Sequence, residues 1–278
     1  MTQNYLSGER GKKKLSGLTS GKIDHHEFPD ITTEKMAEVD HLMMEDYGIQ
    51  LIQMMENAGR HLAGLAKNRF LCGDADGKHV VVLAGSGGNG GGAMVCTRHL
   101  FNWGAEVVLY LTKPVKDLTD TIKHQGEILQ RMGLEIRSSE ELRVKPNLDL
   151  IVDGIIGYGL RGAPHGTAAD MIQWANRQSS PILALDLPSG LNASTGEVFE
   201  PTIRAAATLT LALPKLGLKV VDPEVVGELY LADIGVPPEL YTRLPLSLKV
   251  KPLFNQAQIL RLSLLKDVDR IDPNNLKY

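Results

Sequence analysis

A run of apolar, mostly β-branched residues that ends in a cluster of glycines constrains the fold of this chain more than any other feature. Residues 80–84 read Val-Val-Val-Leu-Ala, and residues 85–92 read Gly-Ser-Gly-Gly-Asn-Gly-Gly-Gly. An apolar segment that has the character of a helix follows at residues 93–100. This order predicts a strand, a turn and a helix, which together present backbone N–H groups and a helix N-terminus to a phosphate. The alternative is a flexible surface loop between two ordinary elements.

Further apolar segments alternate with helical patterns along the chain. Strands are predicted at residues 106–111, 148–152, 181–185, 206–213 and 228–234. Strands that alternate with helices indicate βαβ units and a mainly parallel sheet. Residues 1–29 are polar and lack periodicity, which predicts a disordered N-terminal extension. We expect one domain over residues 30–245, followed by a C-terminal tail at 246–278 that packs on the core or on a partner.

The composition is that of an ordinary globular protein. The 278 residues carry a formal net charge of −3, which gives no general argument for binding nucleic acid or an anionic membrane. The two cysteines, Cys72 and Cys96, form neither a disulfide framework nor a Cys-x-x-Cys metal site. No apolar run reaches the roughly 20 residues that span a bilayer, and the N-terminus shows no apolar core of a signal peptide. We therefore expect a cytoplasmic protein with neither a membrane nor a nucleic-acid partner.

Polar residues follow the ends of several predicted strands, at Asn89, Asp153, Asp186, Ser189 and Lys215. Because the carboxyl ends of parallel strands lie at one edge of a sheet, these residues are expected to converge on a ligand-binding crevice. The sequence contains neither a P-loop nor a Gly-x-Ser-x-Gly motif, which disfavours phosphoryl transfer and hydrolase chemistry. Oxygen atoms from Asn89, Asp153 and Ser189 would suit a hard cation. The alternatives are structural: Asp153 can cap a turn, and Lys215 can be solvated.

Several short blocks of sequence, spread in order over residues 31–240, resemble a known family. They are Met-Met-Glu-Asn-Ala-Gly-Arg at 54–60, the glycine turn at 85–95 with Arg-His-Leu at 98–100, Val-Asp-Gly-Ile-Ile-Gly-Tyr-Gly at 152–159, Leu-Asp-Leu-Pro-Ser-Gly at 185–190, Leu-Pro-Lys-Leu-Gly-Leu at 213–218, Val-Gly-Glu-Leu at 226–229 and Ala-Asp-Ile-Gly at 232–235. In these blocks the chain resembles the YjeF N-terminal domain family, whose active members are NAD(P)H-hydrate epimerases. Ordered blocks make this match more specific than any single motif.

The resemblance implies a Rossmann-like three-layer α/β/α sandwich that forms a homodimer. It implies that hydrated NADH or NADPH is the substrate, that its R and S forms are interconverted, and that a separate hydrate dehydratase is the pathway partner. It also implies a potassium ion as cofactor, held by Asn89, Asp153 and Ser189, and gives Asp186 the role of acid/base group. The substrate-binding residues that it implies are Gly87, Gly88, Asn89, Gly90, Gly91, Gly92, Gly157, Tyr158, Gly159, Leu160, Arg161, Gly162, Ala163, Asp186 and Lys215.

The glycine turn departs from the family pattern at three positions. The family usually reads Gly-x-Gly-Asn-Asn-Gly-Gly-Asp-Gly, whereas here Gly88 replaces the first Asn, Gly92 replaces the Asp and Ala93 replaces the last Gly. Loss of such polar groups would remove partners of the dinucleotide, at a cost of about 1–3 kcal/mol each. These replacements favour an alternative function, that of a catalytically silent dimer that binds a nucleotide ligand or a protein partner as a scaffold.

Overall fold

The computed structural model describes residues 18–24, 28–143, 147–243 and 245–263. Strands and helices alternate through most of this part of the chain. The elements are β1 (Leu18–Asp24), α1 (Thr33–Glu45), α2 (Leu51–Leu65), β2 (His79–Ala84), α3 (Gly88–Asn102), β3 (Glu106–Leu111), α4 (Asp120–Arg131), β4 (Glu135–Ser138), β5 (Leu150–Gly154), α5 (Gly166–Asn176), β6 (Ile182–Leu185), β7 (Ala207–Leu211), α6 (Leu216–Val220), α7 (Pro223–Val226), β8 (Glu228–Ala232) and β9 (Ile259–Ser263).

The strands of the described residues form one sheet in the order β1-β9-β8-β7-β6-β5-β2-β3-β4. Neighbouring strands are parallel except for the antiparallel pair β8 and β9. From β2 the chain builds outward through β3 to β4, and it then returns to β5 and builds in the opposite direction. The boundary between β2 and β5 is therefore a topological switch point, where open α/β sheets bind their ligands.

Alternate residues of the central strands bury their side chains in two separate cores. Val80 and Val82 of β2 pack in the core that contains α2, α3 and α4. Val81 and Leu83 point to the opposite face and pack with Met171 and the rest of the buried side of α5. This period-two alternation places helices on both faces of a mainly parallel sheet. The predicted Rossmann-like three-layer α/β/α sandwich is thus confirmed.

Strand β4 is an element that the sequence pattern did not reveal. Its four residues, Glu-Ile-Arg-Ser, are exposed or partly exposed, and among the described strands it pairs with β3 alone, at the edge of the sheet. An exposed edge strand needs no run of apolar side chains, so no apolar signal marks it.

No helix in the part of the chain that the structure describes is long and apolar enough to cross a bilayer.

Two strands lie outside the range expected for the domain. Strand β1 falls within residues 1–29, where the sequence predicted disorder, and β9 falls within the predicted tail. The two strands pair in parallel, and β9 also pairs with β8, so both extend the sheet. Because β1 depends on pairing with a strand distant in sequence, no local pattern could show it. Residues 1–17, 25–27 and 264–278 of these two segments lie outside the described residues.

Candidate active site

A cavity of about 740 Å³ opens at the switch point of the sheet. The loops after β2 and β5 line it, together with residues at the ends of β6 and β7 and the buried faces of α1 and α2. Among the predicted site residues, those that line the cavity are Gly87, Gly88, Asn89, Gly92, Gly157, Tyr158, Gly159, Leu160, Arg161, Gly162, Ala163, Asp186 and Lys215. The other predicted residues, Gly90, Gly91, Asp153 and Ser189, are buried behind this lining.

The glycine turn places the N-terminus of α3 against the end of β2. A Cβ atom at Gly90 would lie 1.9 Å from the carbonyl oxygen of Gly85, and one at Gly91 would lie 2.6 Å from Sδ of Met55. None of the glycines between residues 85 and 92 has a positive φ. Gly85 and Gly90, where an added Cβ atom would meet a backbone oxygen at 1.9 Å, are therefore required by close approach, rather than by the left-handed conformation that such turns often need. The helix starts at Gly88, five residues before the predicted segment, and its first N–H groups are free of helical partners.

A buried ion pair joins Asp186 to Lys215 beside the cavity. The lysine side chain is 0% exposed, and its Nζ donates to Oδ1 of Asp186 and to the carbonyl oxygen of Leu211, the latter at 2.8 Å. The backbone N–H of Tyr158 donates to the other carboxylate oxygen, Oδ2, at 3.1 Å. Asp186 is thus held from both sides, and the alternative of a solvated Lys215 is wrong.

Main-chain contacts fix the position of both members of this pair. Asp186 has a φ of 66°, and the next residue, Leu187, donates its N–H to the carbonyl oxygen of Leu185 at 2.8 Å. A left-handed non-glycine residue of this kind costs about 1–3 kcal/mol and is common at functional sites. Ile31 binds the residues on both sides of Lys215. Its N–H donates to the carbonyl oxygen of Pro214, and its carbonyl oxygen accepts from the N–H of Leu216.

Asp153 and Ser189 form a second polar cluster behind the cavity wall. Asp153 accepts from the backbone N–H of Ser189 at 2.8 Å, from its hydroxyl at 2.6 Å and from the N–H of Ile155 at 3.1 Å. Burial raises the pKa of the Asp153 carboxyl to about 6, against the lowering effect of these hydrogen bonds. The contact with Ile155 shows that Asp153 does cap the turn after β5. Its contacts with Ser189 also tie that turn to the loop after β6.

Asn89 is the third residue predicted to bind the cation, and it lies on the cavity side. Its Nδ2 atom is buried and has no hydrogen-bond partner among the described residues. A Cβ atom at Gly157 would lie 3.2 Å from Oδ1 of Asn89 and 3.2 Å from Oδ2 of Asp186. The amide of Asn89 and the carboxylate of Asp186 therefore both lie next to Gly157, where an added side chain would crowd them.

Helix α1 contributes cavity residues that the sequence reasoning missed. Met36 and Asp40 line the cavity, and Asp40 accepts a hydrogen bond from the Tyr158 hydroxyl. Burial raises the pKa of Asp40, and burial together with the neighbouring Asp40 raises that of Tyr158. In the sequence, Asp40 resembles any polar residue on the exposed face of an amphipathic helix. Its contact with Tyr158 becomes visible only when α1 is seen packed against the loop after β5. The spacing from Met36 to Asp40, one helical turn, was the available signal.

Two conspicuous residues on α3 have structural surroundings. His99 lies 3.0 Å from Oε1 of Glu56 and packs against Trp103, with ring centroids 5.6 Å apart. Glu56 also pairs with Arg98, so it links α2 to α3 rather than facing solvent. Cys96 is fully buried, and burial raises the pKa of its thiol. These contacts give His99 and Cys96 packing roles, and neither residue lines the cavity.

This chain is similar in sequence to NAD(P)H-hydrate epimerases and to a bifunctional NAD(P)H-hydrate repair enzyme of other organisms. It is 42% identical over 217 residues to an NAD(P)H-hydrate epimerase of Dehalogenimonas lykanthroporepellens, which covers 77% of this chain and 84% of the relative. It is 35% identical to an NAD(P)H-hydrate epimerase of Rhodopirellula baltica, which covers 77% and 87%. A bifunctional NAD(P)H-hydrate repair enzyme of Moorella thermoacetica is 39% identical, and this chain spans 41% of its length.

The fold has a solved counterpart. The crystal structure of yeast ynu0 superposes with a TM-score of 0.72 at 26% identity, and it covers 84% of this chain and 100% of the yeast chain. Residues 51–217, which include the glycine turn, Asp153, Asp186 and Lys215, match the family described as YjeF-related protein N-terminus. The chain therefore belongs to the YjeF-related N-terminal family.

Proposed function

We propose that this chain is an NAD(P)H-hydrate epimerase, which interconverts the R and S forms of hydrated NADH or NADPH. The observation that carries the proposal is the buried Asp186–Lys215 pair beside the cavity, in a chain 42% identical to a protein of that activity. The replaced positions of the glycine turn leave this pair in place. Gly88 and Gly92 line the cavity and carry no side chain, so neither replacement blocks it.

The two loops at the switch point supply the binding surface for the dinucleotide. The N-terminus of α3 combines free backbone N–H groups with the positive end of a helix dipole, which suits the pyrophosphate. The loop at residues 157–163 lines the same cavity and is partly exposed, which leaves its backbone available to the ligand. The buried methionines of α1 and α2 at this cavity, Met36, Met54 and Met55, offer a polarizable apolar surface for a ring.

Asp186 is the group that moves the proton. Epimerisation inverts the configuration of the ring carbon that carries the hydroxyl. This inversion proceeds by ring opening or by departure and return of water. Both routes move a proton at the hydroxyl oxygen, and a positioned carboxylate contributes about 10²–10⁴-fold to such a step. Lys215 and the N–H of Tyr158 fix the two oxygens of Asp186, so the carboxylate meets the substrate in one orientation.

The residues expected to hold potassium fit a monovalent cation in their chemistry. The fully buried Asp153 carboxylate receives its described hydrogen bonds from the neutral groups of Ser189 and Ile155, so a cation would balance its charge. The hydroxyl of Ser189 and the side-chain amide oxygen of Asn89 would add hard oxygen ligands. A bound potassium ion would supply positive charge close to the dinucleotide and would tie together the loops after β2, β5 and β6.

The proposed reaction requires a second enzyme. Epimerisation changes the configuration of the hydrated ring but leaves the added water in place, so a hydrate dehydratase must complete the repair. The existence of a bifunctional repair enzyme among the relatives supports this coupling. We also propose a homodimer, on the resemblance to the family. A cytoplasmic location stays a prediction.

The test is epimerisation of purified R-hydrate in potassium buffer, with the two epimers separated by chromatography and a reaction without protein as background. We expect Asp186→Asn to lower turnover at least about 100-fold while the variant still folds. Asp170→Asn, an exposed aspartate on α5, is the matched control and should retain wild-type turnover. A folded wild-type protein that binds the dinucleotide without accelerating epimerisation would instead support the scaffold function.

A further inference from the structure

Helix α1 holds Tyr158 at two points. The Tyr158 hydroxyl donates to Oδ2 of Asp40, and the hydroxyl of Thr33 donates to the carbonyl oxygen of Tyr158 at 3.4 Å. Thr33 and Asp40 are seven residues apart on α1, so they lie two turns apart on one face of the helix. One face of α1 therefore hydrogen-bonds both the side chain and the backbone of Tyr158.

Tyr158 in turn determines how Asp186 is held. Its backbone N–H is the donor to Oδ2 of Asp186 at 3.1 Å, whereas Oδ1 is bound by Lys215. Most of the residues that follow Tyr158 in the loop are exposed, namely Gly159, Arg161, Gly162 and Ala163. The contacts of Tyr158 with α1 are thus the anchor of this loop where it meets the carboxylate.

We infer that Asp40 is a positioning residue for the epimerisation, and that it acts through Tyr158 to fix the carboxylate of Asp186. The inference rests on the proposed function. Asp40 accepts the hydrogen bond of the Tyr158 hydroxyl, the hydroxyl locks the ring, and the locked residue presents its N–H to Asp186. Loss of this acceptor frees Tyr158 and lets Asp186 adopt unproductive orientations, which lowers the rate of the chemical step more than substrate affinity.

Three single variants and one double variant test this order of contacts by steady-state kinetics with R-hydrate. Asp40→Ala removes the acceptor and should lower kcat about 10- to 30-fold, with KM changed less than about threefold. Tyr158→Phe removes one hydroxyl and should lower kcat by a similar factor. Asp40→Asn keeps an oxygen that can accept from Tyr158 and should restore at least a third of the wild-type kcat. The double variant Asp40→Ala/Tyr158→Phe should be no slower than the slower single variant, because both changes break one contact.

Glu45→Ala, at an exposed position of α1, controls for a general effect of changing this helix. Circular dichroism and thermal unfolding establish that each variant is folded, and if Asp40→Ala does not fold, Tyr158→Phe alone decides. The inference is overturned if Asp40→Ala, or in its place Tyr158→Phe, keeps kcat within twofold of wild type. It is also overturned if Asp40→Asn is as slow as Asp40→Ala while Tyr158→Phe is unaffected. A folded but inactive wild-type protein would refute the proposed function and this inference together, whereas an active one with unaffected variants refutes the inference alone.

Discussion

Removal of the charge on Lys215 should destabilise the protein far more than removal of an ordinary surface charge. In Lys215→Met the side chain keeps its length, but the buried carboxylate of Asp186 loses its partner, and the Leu211 carbonyl loses a donor. Breaking a buried pair in this way costs about 3–5 kcal/mol, because one charge is left uncompensated. For a chain of this size the loss lowers the melting temperature by on the order of 10 °C. Urea unfolding followed by circular dichroism measures the free energy directly.

A double-mutant cycle separates the ion pair from the loss of packing. Asp186→Asn alone leaves a buried ammonium group and should cost about as much as Lys215→Met, while the double variant buries no charge and should recover most of the loss. Lys219→Met is the control, since Lys219 bonds Asp30 at 3.1 Å but is 32% exposed, and it should cost less than about 1 kcal/mol. The reasoning is refuted if Lys215→Met costs less than 1 kcal/mol, or if the two single losses simply add.

Two further predictions concern the glycine turn and the cation. Gly90→Ala would place a methyl group 1.9 Å from the Gly85 carbonyl oxygen and should lower the free energy of unfolding by about 3 kcal/mol or more, whereas Gly88→Ala, which faces open space, should change it by less than about 1 kcal/mol in the same urea titration. Equal losses would contradict the close-approach argument. Replacement of potassium by tetramethylammonium should lower the melting temperature of the wild-type protein but not of Asp153→Asn; an unchanged wild-type value would count against the site.

The layered fold could be predicted because its signals are local. The apolar run of β2 and the alternation of strands with helices indicate which segments are buried. A parallel sheet then follows, because helices connect successive strands. The same logic located the site, because polar residues after consecutive parallel strands must meet at one edge. Asp186 and Lys215 follow β6 and β7, which are neighbours in the sheet, so their pairing was within reach of the sequence.

What the sequence could not show depends on contacts between distant segments. The strand β1 exists only through pairing with β9, and the role of Asp40 depends on how α1 docks on the loop after β5. The start of α3 among glycines was also missed. Helix propensity disfavours glycine. Here glycines are found in the first turns of α3 because α2 and the end of β2 approach this helix too closely for larger side chains. In each case tertiary packing overrides the local preference of the chain.

The contact of Ile31 with Lys215 bears on the order in which the protein folds. The two residues are among the most distant in sequence that pair in the described structure, and Ile31 is 0% exposed. Contacts of such long range carry the largest loop-closure entropy, and they tend to form after the local βαβ units. We therefore expect the N-terminal segment to dock late and to complete the burial of Lys215 only then. A chain still being synthesised already contains Ile31 but must wait for residue 215, so the site cannot assemble until the strands up to β7 have been synthesised.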